Sequence, residues 1–132
     1  MAKYIYPAIF HEENDGGYYI EFPDIPSCYT QGDDMTNALE MANDVLCLTL
    51  YDIEKNGEEI PTVSDIRSIK TDGNDFVTLI SCDTLEYKKF YEKKAVKKTL
   101  SIPSWLNEMA EAQHINFSAV LQQALKEKLN VT

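Results

Sequence analysis

The chain has 132 residues, 44% of them apolar, and a formal net charge of −10. This length fits one ordinary domain, or one compact domain with a small appended module. No apolar run approaches the roughly 20 residues of a membrane helix, and the N-terminal stretch MAKYIYPAIFHEEN has the pattern of neither a secretory signal nor a transit peptide. Three scattered cysteines without a CxxC pattern predict reduced thiols, no metal site and a cytoplasmic location.

The charge is divided unevenly along the chain. Residues 1–86 carry 4 Lys+Arg and 18 Asp+Glu, whereas residues 87–132 carry 8 and 4. An acidic region repels nucleic acid and attracts a basic protein, and a basic region does the opposite. The sequence therefore predicts two partners of opposite charge.

The first predicted element is a β-hairpin. Two alternating segments, residues 3–11 and 18–22, flank the strong turn signal NDGG. Pro7 lacks an amide hydrogen, which favours an edge or bulged position in the first strand. His11 at the end of that strand is interpreted as a solvated histidine. The first strand places four side chains on one face: Tyr4, Tyr6, Ala8 and Phe10.

A long helix follows a proline-containing loop and a short strand near residues 28–31. The apolar period becomes helical at Asp34 and continues for about 20 residues, until Asn56-Gly57. A last strand is predicted at residues 76–82. Residues 1–86 are therefore predicted to form an α+β domain of β-β-β-α-β order, with one long helix on a small antiparallel or mixed sheet. A second apolar stripe on the helix predicts that another surface covers it: Met41, Leu48 and Tyr51.

The C-terminal part is predicted to be a separate module. Residues 87–95 form a charged linker that can hold a short helical turn, and residues 96–132 form the module. Counted back from Pro103, its strand has Leu100 and Ile102 on one side and Lys97, Thr99 and Ser101 on the other. Two short amphipathic helices follow, the second capped by Asn116.

The module is too small to bury its apolar faces alone, so we expect at least a homodimer, and pairing of the acidic domains would give a tetramer. The predicted dimerisation residues are Leu100, Ile102, Trp105, Val120, Leu121 and Leu125.

Strand, helix and helix at this spacing resemble the ribbon-helix-helix family of DNA-binding proteins. In that family two chains pair their strands into a ribbon that enters the major groove. The chain departs from the family pattern at Lys98, an inward position that is usually apolar, and at His114, where glycine is usual. His114 is therefore expected to adopt a left-handed conformation. The resemblance implies a set of DNA-binding residues: Lys97, Thr99 and Ser101 as base readers, and Lys98, Asn116 and Ser118 near phosphates.

A second resemblance covers the acidic domain. Residues 22–42, FPDIPSCYTQGDDMTNALEMA, follow the YYIEF strand and resemble the signature of HicB-type antitoxins, whose body is similar to a truncated RNase H fold. Body and tail together extend this resemblance over almost the whole chain. It implies a type II toxin-antitoxin pair: the body masks HicA, a small basic ribonuclease that cleaves messenger RNA, and the tail represses the shared operon at its operator DNA.

The toxin-binding residues are predicted from charge and aromatic character. Glu21, Asp24 and Asp33 would mimic phosphates in the basic groove of the toxin, and Tyr29 would be an interface anchor. Core packing is the alternative role for the tyrosines. The many carboxylates are explained by turns and caps, so no catalytic site, enzyme activity or cofactor is predicted. Two alternatives remain: a stand-alone ribbon-helix-helix regulator with a ligand- or protein-sensing domain, and a metal-dependent nuclease.

Overall fold

The computed structural model describes residues 2–132, which divide into two compact units. The first, here called the body, ends at Lys94, and the second, the tail, runs from Ala95 to Thr132. The body contains β1 (Lys3–Glu12), β2 (Tyr18–Glu21), β3 (Tyr29–Gly32), α1 (Met35–Lys55), a 3-10 turn (Ile66–Ser68), β4 (Phe76–Asp83) and α2 (Thr84–Tyr91). The tail contains α3 (Ser104–Ala112) and α4 (Phe117–Leu129). The predicted β-β-β-α-β order and α+β class are confirmed.

The four strands form one antiparallel sheet of order β3-β2-β1-β4. The NDGG turn joins β1 to β2 as predicted, and Gly16 supplies the positive φ of 88° that this turn needs. Pro7 was predicted to lie at an edge or bulged position of the first strand. As a whole, β1 is not an edge strand, because it lies between β2 and β4. However, β2 pairs only with residues 9–12 of β1, so at Pro7 the sheet continues only towards β4.

One face of the sheet packs against α1 and forms the core of the body. The predicted inward face of β1 is confirmed, since Tyr6, Ala8 and Phe10 are fully buried. Asp34 caps α1 by accepting a hydrogen bond from the Asn37 amide at 2.8 Å. Such caps satisfy amides that a helix start leaves unpaired. The α1 side chains in the core are Ala38, Ala42, Leu46, Cys47 and Leu50.

The end of β3 approaches α1 unusually closely. A Cβ on Gly32 would lie 2.3 Å from the Ala38 Cα and 2.5 Å from its backbone nitrogen. Both residues are buried, and Ala38 has no exposed surface. Only a residue without a side chain allows β3 and the first turn of α1 to meet at this distance.

Helix α2 extends into the segment that the sequence analysis assigned to a linker. Asp83 caps α2 by accepting from the amides of Leu85 at 3.0 Å and Glu86 at 3.3 Å. The Tyr87 ring lies 5.3 Å from the Tyr51 ring on α1. Helix α2 therefore covers the Tyr51 end of the second α1 stripe, whereas its other members, Met41 and Leu48, remain exposed.

The tail has two helices joined by a left-handed turn. His114 has φ 53°, which confirms the predicted conformation. The Asn116 side chain caps α4 by accepting from the Ala119 amide at 3.0 Å, as predicted. Residues 95–103 are neither helix nor strand, although a strand was predicted there. A strand is defined by hydrogen bonds to a neighbouring strand, and no other segment of the described tail is a strand.

Candidate functional site

The sheet face opposite α1 carries a histidine clamped between two carboxylates. His11 Nδ1 lies 2.6 Å from Asp75 Oδ2, and His11 Nε2 lies 3.2 Å from Glu21 Oε1. Burial alone would lower the pKa of His11, but the hydrogen bonds to both carboxylates outweigh it, so the pKa is raised. The interpretation of His11 as a solvated strand-end histidine is therefore wrong: it joins β1 and β2 to the segment before β4.

Two of the predicted toxin-binding residues lie side by side on this face. Glu21 and Tyr29 are paired between β2 and β3. Tyr29 is 58% exposed, and its ring lies 6.2 Å from the Tyr19 ring. An exposed tyrosine that packs on a half-buried one beside a carboxylate has the composition of an interface rather than of a core. The core role holds for Tyr6, which is buried, and for Tyr4 and Tyr18, which pack against the core.

The other two predicted acids lie elsewhere. Both carboxylate oxygens of Asp24 accept hydrogen bonds from Ser64, one from its amide at 2.9 Å and one from its hydroxyl. Asp33 directly follows β3, at the opposite end of that strand from Tyr29. It is exposed, and its backbone amide donates to Asn37 Oδ1 at 2.9 Å. The sequence analysis placed Asp24 and Asp33 in one binding surface with Glu21. In the structure, Asp33 lies at the far end of β3 from Glu21 and its partner Tyr29.

The tail contains an apolar cavity of about 510 Å³ beside the predicted ribbon segment. Three alternate residues of that segment line it, namely Lys98, Leu100 and Ile102. The residues between them, Thr99 and Ser101, are exposed and do not line it. This two-residue alternation is typical of an extended chain, although the segment has no hydrogen-bonded strand neighbour among the described residues. The α4 side chains that line the same cavity are Phe117, Ser118, Val120, Leu121 and Ala124.

The tail has no buried side chain of its own among residues 95–132. Five of the six predicted dimerisation residues are classed as exposed, and Leu121 is half-buried. Trp105, the only tryptophan of the sequence, is 62% exposed. Such a density of uncovered apolar surface marks an interaction site. The predicted DNA-facing residues Lys97, Thr99 and Ser101 are also exposed.

The described residues offer little for metal or thiol chemistry. Within residues 2–132 no group of three or more His, Cys, Asp or Glu side chains is arranged to hold a metal ion. Cys28, Cys47 and Cys82 are buried free thiols. None of the helices in this part of the chain has the length and apolar character needed to cross a membrane.

A sheet with one long helix, followed by a two-helix tail, is a fold found in solved proteins of bacterial toxin-antitoxin systems. The chain is similar to a chain of a toxin-antitoxin complex from Streptococcus pneumoniae, with 28% identity, a TM-score of 0.62 and coverage of 96% of this chain and 99% of that one. The fold is also shared with the Burkholderia pseudomallei antitoxin HicB, with 19% identity, a TM-score of 0.55 and coverage of 96% and 98%. The chain thus shares its fold with a protein of a toxin-antitoxin complex and with a solved antitoxin.

The sequence narrows this class to one family. The family described as HicB_like antitoxin of bacterial toxin-antitoxin system matches residues 6–125, and the chain belongs to it. Antitoxin HicB 1 of Photorhabdus laumondii is 31% identical over 99 residues, which are 73% of this chain and 60% of that protein. Antitoxin HicB of Escherichia coli K12 is 39% identical over 64 residues, 48% of this chain and 46% of that protein. The chain thus spans less than two thirds of the length of these relatives.

The sequence analysis did not identify a cluster of three aromatic side chains on α2. The Tyr87 and Tyr91 rings lie 4.5 Å apart, and the Phe90 and Tyr91 rings lie 4.9 Å apart. The signal was present in YKKFYEKKA, where three aromatic residues recur at helical spacing. The four lysines among them favoured a solvated linker instead.

Proposed function

We propose that the chain is the antitoxin of a type II toxin-antitoxin pair. Its body binds and masks a HicA-type ribonuclease, and its tail represses the shared operon as a ribbon-helix-helix dimer. Family membership and the similarity to a chain of a toxin-antitoxin complex support the first role. As part of the proposal, the body is a truncated RNase H-like fold, which its β-β-β-α-β order supports.

One observation carries the proposal. The excess of acidic charge lies in one of the two units: the body carries 8 Lys+Arg and 19 Asp+Glu, whereas the tail carries 4 Lys and 3 Glu. The body attracts a basic ribonuclease and repels nucleic acid, whereas the tail lacks this acidic excess and carries Lys97 and Lys98 on its predicted ribbon segment, so only the tail suits DNA phosphates. A single protein with both surfaces can link the amount of toxin to the expression of its operon.

The uncovered apolar face of the tail supports dimerisation. A second copy would place its own Leu100 and Ile102 opposite the same residues of the first, so that two extended segments pair and the cavity is filled. Lys97, Thr99 and Ser101 would then face outward from the ribbon into the major groove. The free amides at the start of α4, next to Asn116 and Ser118, would hold a DNA phosphate.

The mask on the toxin is proposed to include the predicted acids and Tyr29. Glu21 and Tyr29 supply an acidic and an aromatic contact on one sheet face. Asp33 supplies an exposed charge near the start of α1. Ser64 donates hydrogen bonds to the Asp24 carboxylate, so Asp24 would present its negative charge to the toxin in a fixed orientation. If reversing the charges of Asp24 and Asp33 leaves toxin inhibition and its salt dependence unchanged, the phosphate-mimic role of these acids is wrong.

The function is tested by co-expression with the product of the adjacent gene. We expect a stable complex, suppression of its messenger RNA cleavage, and a shift of DNA from the shared promoter. Lys97→Ala should weaken promoter binding by about 1–3 kcal/mol and relax sequence preference, because a base contact is lost. Lys126→Ala, an equal charge change in the last turn of α4, is the matched control. Equal losses in both variants would show general attraction to phosphates instead of base reading.

A further inference from the structure

The body carries an open groove of about 500 Å³ beside α1, β4 and α2. We call it the helical groove and define it by six lining residues: Asp44, Asp83, Glu86, Tyr87, Phe90 and Tyr91. Phe90 and Tyr91 are each 63% exposed, which is unusual for two adjacent large aromatic residues. Exposed aromatic surface at a concave site is typical of an interface, where rings give large contact area at low entropy cost.

The charged side chains that line the helical groove are all acidic. Three carboxylates line it, and neither lysine nor arginine is among its lining residues. Asp83 is used in part to cap α2. Glu86 accepts from Lys89 Nζ at 3.2 Å, whereas Asp44 is exposed on α1. A cation that enters the groove would meet negative charge next to low-dielectric ring surface, where attraction is stronger than in water.

The rings around the groove already hold ammonium groups of the same chain. Lys93 Nζ lies 4.9 Å from the centre of the Phe90 ring. Lys55 Nζ lies 5.6 Å from the centre of the Tyr51 ring, which in turn lies tilted against the Tyr87 ring. Both distances lie within the roughly 6 Å limit of a cation–π contact. The aromatic faces here are thus accessible to cations, and a guanidinium could stack on them in the same way.

An exposed apolar stripe continues the groove along α1. Met41, Asp44, Leu48 and Tyr51 are spaced by three or four residues, so they lie on one side of the helix. Met41 and Leu48 are exposed. The combined surface has an apolar strip, exposed rings and a cluster of carboxylates, which is the pattern of an interface centre with a charged pocket.

We propose that the helical groove receives an arginine or lysine side chain of the basic toxin, while the α1 stripe packs against apolar surface beside it. This inference rests on the proposed antitoxin function and adds a contact on the β4 side of the body, separate from Glu21 and Tyr29. The acidic lining selects a basic partner, and the rings favour arginine, because its flat guanidinium stacks while its donors reach the carboxylates.

The test uses the full chain and a catalytically inactive form of the toxin encoded beside it. Asp44→Asn removes one charge at an exposed site, and Phe90→Leu removes a ring but keeps apolar volume. We expect each variant to weaken toxin affinity at least about tenfold in calorimetric titration, and Asp44→Asn also to reduce the salt dependence. Asp72→Asn, an exposed acid outside the groove, is the matched control and should leave affinity unchanged.

The outcomes separate this inference from the proposed function. If the unaltered chain binds the toxin and both groove variants bind it equally well, the groove assignment is overturned and the antitoxin function stands. If the unaltered chain does not bind the toxin, both fall. If the groove variants lose self-association in sedimentation and keep toxin affinity, the groove is a contact between copies of this chain, which also overturns the proposal. An unchanged urea unfolding midpoint of the body in each variant shows that the body remains folded.

Discussion

The close approach of β3 to α1 gives the sharpest test of the body's packing. Replacing Gly32 with alanine would place a Cβ 2.3 Å from the Ala38 Cα. Carbon atoms pack at about 3.5–4.0 Å, so the strand and helix would have to separate by about 1 Å or more. The obstructing atoms belong to a helix backbone and cannot rotate away.

The expected cost follows from this geometry. Overpacking a core typically costs about 1–3 kcal/mol, and a clash with backbone belongs at the upper end, so we expect Gly32→Ala to destabilise the body by about 3 kcal/mol. At about 4–8 °C per kcal/mol for a domain of this size, its melting temperature should fall by about 12–24 °C. Urea unfolding followed by circular dichroism measures the same change as a free energy.

Gly57→Ala is the matched control. Gly57 has φ +68° with open space around its Cβ position, so alanine there meets only conformational strain of about 1–2 kcal/mol. The reasoning would be refuted if Gly32→Ala cost no more than Gly57→Ala. That result would mean that β3 and α1 do not meet as closely as the structure places them.

Two further predictions concern pH and capping. The raised pKa of His11 means that its clamp stabilises the body below the ordinary histidine pKa of about 6.5, and that this stability is lost as pH rises through the higher folded pKa. Urea unfolding from about pH 6 to about pH 8.5 should show this loss, and His11→Gln should remove it; an equal slope in the variant would contradict the clamp. Asn116→Ala should destabilise the tail by about 1 kcal/mol in thermal melts at fixed chain concentration, since the cap to Ala119 is lost. Asn116→Ser, which keeps a capping oxygen, should restore it, and a melt unchanged by alanine would show that the cap is not needed.

Local features of the fold were predictable from the sequence. The NDGG turn, the Asp34 cap and the Asn116 cap each depend on residues within four positions, so their chemistry is visible in a short window. The left-handed His114 was expected from the resemblance to the ribbon-helix-helix family, because His114 stands where that family usually has a glycine at the helix end. These features locate α1, α3 and α4 without knowledge of the sheet.

Long-range features were not predictable in the same way. The environment of His11 depends on Asp75, which lies 64 residues later in the chain. The helical groove depends on α2 folding back on α1, where Tyr51 also donates a hydrogen bond to Glu92 at 2.5 Å, 41 residues away. Which segments make such contacts depends on how the strands and helices are arranged in space. Hydrophobic periodicity along the sequence does not reveal that arrangement. The predicted strand in residues 97–102 is a separate case. Its expected hydrogen-bonding partner is a second copy of the chain, which a single chain does not contain.

The absence of any buried side chain in residues 95–132 has a consequence for how the protein responds to dilution. In the proposed dimer the tail gains its interior only by pairing, so the ordered fraction of the tail would rise with chain concentration by mass action. When the chain is scarce, the tail would open and become a substrate for proteolysis, whereas the body retains its own core. With the proposed operator binding, the abundance of the protein would then set both its lifetime and its occupancy of DNA, without any additional sensor.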